Sequence, residues 1–119
     1  MNRKEFLHII EKSKIEEETV SKIENQYRHQ VPQVIKEIVS YSQDSVFFDD
    51  GYRTLSVSEI LEASTDLHID FVNQGMIPII DCGENDFIVY HFEESLWSKF
   101  NIIDECTFKK RTSLTDLLQ

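Results

Sequence analysis

Cys82 sits in the run Asp81-Cys82-Gly83-Glu84-Asn85-Asp86, a composition that predicts a turn. A turn cysteine is a candidate nucleophile, but attack requires the thiolate, and Asp81 and Glu84 on either side oppose that charge. No base adjoins it in sequence; His91 would have to approach from a paired strand. Asp66, His68 and Asp70 are metal-ligand residue types that share a face if their segment is extended, yet alternation alone describes a solvated strand edge equally well. The chain has no HExxH motif, calcium-binding loop, GxSxG elbow or phosphate-cradling glycine loop. His8 and His29 read as surface or packing residues. These patterns assign no catalytic residue, metal ligand or cofactor, and the expectation is a protein that is not an enzyme.

The elements that would position these side chains follow from hydrophobic spacing. Asn2 is placed to cap a helix whose Phe6, Ile9 and Ile10 share a face, and Val20, Ile23 and Tyr27 continue the helical pattern, in a second helix or in one bent helix. Pro32 opens a further helix carrying Val34, Ile35, Ile38 and Val39. Val46 to Phe48 and Tyr52 to Leu55 read as strands around the turn Asp49-Asp50-Gly51. Ser56 and Glu59 have capping-box spacing for a short helix from Val57 to about Ala63. Thr65 to Gln74 reads either as a strand edge or as a loop pinned by Leu67, Ile69 and Phe71.

Met76 to Phe92 reads as the central hairpin, and the nearly continuous apolar run Phe87 to Phe92 predicts a strand covered on both faces. Glu93 and Glu94 mark a turn, and Leu96 to Ile103 a further strand. Trp97 and Phe100 suit a core role better than an interface anchor. Lys109-Lys110-Arg111 reads as a solvated loop or an internal partner for acids. Ser113 caps a last helix through Asp116. Helices, then an antiparallel sheet, then a short helix make an α+β fold, expected as one domain over residues 1–119.

Charge is the strongest asymmetry. The net charge is −10, with Asp and Glu at 22 against 12 Lys and Arg. Residues 1–40 are balanced, whereas the acids concentrate in residues 41–108, where Arg53 and Lys99 are the sole bases. Such a field disfavours nucleic acid and attracts basic proteins. The N-terminal MNRKEFLHIIEKSK is too charged for a signal peptide, no stretch approaches the ~20 apolar residues of a membrane span, and two cysteines do not make a disulfide framework. The expected location is cytoplasmic, with no membrane contact.

IENQYRHQVPQVIKEIVSYS, MIPIIDCGENDFIVYHF and RTSLTDLL, in that order, resemble the SUKH superfamily of Smi/Knr-type domains: a proline-opened helix, an apolar strand-turn-strand signature and a closing helix. LSVSEILEA falls where that family has its strand-to-helix element. The chain differs in having Ser42-Gln43-Asp44 after the proline helix and LWSKFNI after the hairpin. The resemblance implies a binding module. Bacterial members look like immunity proteins that neutralise a polymorphic toxin, often a nuclease, by stoichiometric protein–protein binding; eukaryotic relatives act as regulatory scaffolds, and that is the alternative function. The resemblance supplies no site residues. The acidic turn residues Asp49, Asp50, Glu84, Asp86, Glu93 and Glu94 are the expected contacts for a basic toxin, because binding residues collect in loops.

Overall fold

The computed structural model describes residues 1–49 and 51–118. The Asn2 side chain accepts from the Glu5 N–H and starts α1 (Arg3–Glu11), which buries Phe6 and Ile10. A break at residues 12–16 separates it from α2 (Glu17–Tyr27), so the early helical pattern is two helices. Pro32 stands one residue before α3 (Gln33–Tyr41), at the capping position, where its missing N–H costs nothing. Ile35, Ile38 and Val39 turn inward.

Six strands follow: β1 (Phe47–Phe48), β2 (Tyr52–Thr54), β3 (Met76–Gly83), β4 (Asp86–His91), β5 (Leu96–Asn101) and β6 (Cys106–Arg111). They lie in the sheet in chain order, each antiparallel to the next. Between β2 and β3 run α4 (Val57–Leu61), α5 (Ala63–Leu67) and α6 (Phe71–Gln74), and α7 (Leu114–Leu117) closes the chain. The architecture is α+β. Ser56 and Glu59 form the expected reciprocal capping box on α4, and Ser113 caps α7 by accepting from the Asp116 N–H.

The central hairpin orders both sides of the sheet. Phe87, Ile88, Val89 and Tyr90 are all buried, so β4 is covered on both faces. Phe87 pairs with Phe100, which meets Phe71 of α6 at 6.2 Å on one face. Tyr90 pairs with Trp97 at 5.1 Å on the other. Both Trp97 and Phe100 are core residues. Pro78 lies inside β3 beside a bulge at Ile79, a position a proline tolerates because the ladder is already interrupted there. Phe6 of α1 stacks on Phe48 of β1 at 4.1 Å, tying the first helix to the sheet's short edge.

Four expectations need correction. Residues 65–74 are neither strand nor loop: α5 ends on His68 in the left-handed conformation, and Asp70 caps α6 by accepting from the Asn73 N–H. The apolar alternation there reflects Ile69, buried between the two helical turns, and Phe71, buried at the start of α6. The central turn is narrower than its composition suggests, because β3 continues through Asp81, Cys82 and Gly83. β5 stops at Asn101, so Ile103 lies in a turn. Finally, Lys109, Lys110 and Arg111 belong to an edge strand and not a loop, while the other expectation, an internal partner for acids, holds at Lys110, which pairs with Glu94. β6 carries one residue more than β5 between the pairs Lys99–Phe108 and Trp97–Arg111, a bulge at which Lys109 has φ 55°.

Candidate functional site

Because every strand runs opposite to its neighbour, alternate turns share an end of the sheet. The β1–β2, β3–β4 and β5–β6 turns lie at one end and the β4–β5 turn at the other. The first end gathers Asp49, Glu84 and Asp86 with two acids that the sequence reading left out, Asp104 and Glu105. Glu93 and Glu94 are at the far end, so the expected six-residue surface is split between two ends of the sheet. Asp50 lies outside the described residues.

The acidic end is held by backbone. The Ile102 N–H donates to the Asn85 carbonyl at 3.0 Å, joining the β5–β6 turn to the β3–β4 turn. Asn101 accepts through Oδ1 from the N–H groups of Ile103 and Asp104, and its Nδ2 donates to Asp86 Oδ1 at 2.8 Å. That arrangement fixes the turn that presents Asp104 and Glu105. An Asn three residues ahead of an Asp was the available signal for it; extending the strand to Ile103 hid it. Glu84 and Asn85 form the two-residue hairpin turn, both with positive φ.

Glu84, Asp104 and Glu105 are exposed and Asp86 is half-buried. None of the four has an ion-pair partner among the described residues. Asp49 differs, since it pairs with the Arg3 guanidinium, which also donates to the Leu118 carbonyl. Ile103 is 70% exposed within this acidic surround, a large apolar side chain displayed where the sheet ends.

The candidate chemistry is quiet. Burial pushes the Cys82 thiol up to about 11, so at neutral pH it is protonated and a poor nucleophile. His91 does not serve it; its Nε2 pairs with Ser98 Oγ at 2.7 Å, and burial lowers its pKa. Asp66, His68 and Asp70 belong to a helix, its left-handed cap and the next helix's cap, with no common strand face. Among the described residues no group of three or more His, Cys, Asp or Glu is placed to hold a metal ion. Arg53 is clamped by Glu59 at 2.9 Å and by Asp81 at 3.2 Å; hydrogen bonding to Glu59 raises the guanidinium pKa, and the same bond lowers that of Glu59. This network ties β2 and β3 to α4. Lys110 pairs with Glu94 at 3.4 Å. No helix among the described residues is long and apolar enough to cross a membrane.

No protein-family model, curated protein or solved structure matches the chain. The fold and the acidic end therefore carry the functional reading.

Proposed function

We propose that this chain is a non-catalytic, SUKH-type immunity protein of the cytoplasm that neutralises a cognate toxin domain, basic and nuclease-like, by stoichiometric binding. One observation carries the reading: four carboxylates without ionic partners among the described residues, Glu84, Asp86, Asp104 and Glu105, converge on adjoining turns around the exposed Ile103. Unpaired acids repel one another, and a fold that holds them together is relieved when a basic surface meets them. A nuclease cleft built for phosphates is such a surface. The apolar Ile103 side chain supplies contact that water cannot compete for.

The test is affinity capture from source-cell lysate at low and moderate salt, followed by stopped-flow mixing with the captured protein. The expected partner is a single basic protein, toxic when expressed alone and harmless when co-expressed with this chain. Glu84→Lys with Glu105→Lys then slows association about tenfold or more at low salt and flattens its salt dependence. A set of several non-toxic partners points instead to a regulatory scaffold.

A further inference from the structure

At the far end of the sheet, a cavity of about 220 Å³ has His29, Asn73, Gly75, His91, Glu93 and Glu94 in its lining. Its lining includes two carboxylates, Glu93 and Glu94. The Gly75 N–H is spent on the Val72 carbonyl and Asn73 Nδ2 on Asp70, which leaves Asn73 Oδ1 as its open polar atom. His29 Nδ1 lies 2.9 Å from the Tyr27 carbonyl, which can only accept, so Nδ1 carries a proton and is spent on that bond. Burial lowers the pKa of His91 and favours its neutral form.

The imidazole of His29 also forms a plate. One face stacks on Phe92 at 4.4 Å and 9°, and the residue is otherwise exposed. An aromatic plate beside two carboxylates matches a planar cation that both stacks and hydrogen-bonds, which a guanidinium does and an ammonium does not. Lys110 already uses one carboxylate, Glu94, from the rim; Glu93 has no ion-pair partner among the described residues.

We infer that this cavity is a binding site for a single arginine side chain presented by a protein partner. The inference rests on the immunity reading only for the identity of the chain that brings the arginine. Its recognition elements are the Glu93 and Glu94 carboxylates, the His29 ring and the Asn73 amide oxygen, and Lys110 is the internal cation that an incoming guanidinium displaces from Glu94.

The experiment is amide-resolved NMR titration with N-acetyl-arginine amide, against the lysine analogue at matched ionic strength. Shifts are expected at Gly75, His91 and Glu93, with arginine bound at least about fivefold more tightly than lysine. Glu93→Gln with Glu94→Gln, both in an exposed turn, weakens arginine binding about tenfold, and Lys110→Ala tightens it; circular dichroism of each variant confirms the fold. Absence of localised shifts, equal response to lysine, or an unchanged affinity in the double variant overturns the site. The probe needs no toxin, so the two readings fail separately. A captured toxin whose affinity the double variant leaves unchanged removes the cavity from the interface while the immunity function stands. Arginine binding with no toxin captured removes that function and leaves the cavity.

Discussion

β4 and β6 are both six residues long and lie in the same antiparallel sheet with β5 between them. β4 buries four consecutive side chains; β6 buries none, and only Phe108 is half-covered. Two strands of equal length in one sheet are therefore stabilised in two ways. β4 is held by side chains packed on both faces, whereas β6 is held by its ladder to β5 and by α7, which packs against it. The contrast separates residues that specify the fold from residues free to meet something else. Substitutions in the turns and the edge leave the centre intact, and that is where a binding surface can vary without loss of the fold.

The largest effect that sharpens this contrast is in β4. Ile88 is fully buried, and Ile88→Ala is expected to cost about 2–5 kcal/mol in urea unfolding. A loss below 1 kcal/mol would break the account of β4 as the two-sided centre. A smaller effect is set by pH at the end of the same strand. The folded-state pKa of His91 lies below its ordinary value, so the unfolded chain takes up the proton first. Stability is complete above the ordinary imidazole value of about 6.5 and declines as pH falls through the lower folded value. His91→Gln flattens the stability profile between about pH 7 and 5 in thermal melts; an unchanged slope assigns the acid sensitivity elsewhere. Below that window, protonation of Glu59, whose pKa is also depressed, loosens its clamp on Arg53. The smallest effect is on the edge: Lys110→Ala removes an ion pair that is about half exposed on each side and changes stability by no more than about 0.5 kcal/mol.

The same contrast explains what could be read in advance. Phe87 to Tyr90 announce a central strand because coverage on both faces demands an unbroken apolar run, and Ser56 with Glu59 announces a helix because the capping box is local chemistry. Cys106 to Arg111 announces nothing, since an edge strand with exposed side chains has no periodicity to display. The segment 65–74 misleads for the opposite reason: Ile69 and Phe71 are true anchors, but the left-handed turn at His68 and the Asp70 cap set the backbone between them. The candidate site was legible as residue types and not as a place. Loop acids could be picked from the sequence, whereas their division between two ends of the sheet follows from a strand order that only pairing reveals. Asp104 and Glu105 were lost with the overextended strand, and the cavity beside Glu93 needed His29, Gly75 and His91 brought together from three distant parts of the chain.

The bulge at Lys109 has a consequence for how copies of this protein behave at high concentration. An outermost strand exposes backbone donors and acceptors that invite another chain to extend the sheet, the first step towards aggregation. At Lys109 the positive φ breaks the line of those groups, and the Arg111 side chain donates to the Lys110 carbonyl, capping one of them. Three consecutive cations then set identical edges against each other by charge. The bulge and the cations together oppose extension of the sheet from this strand.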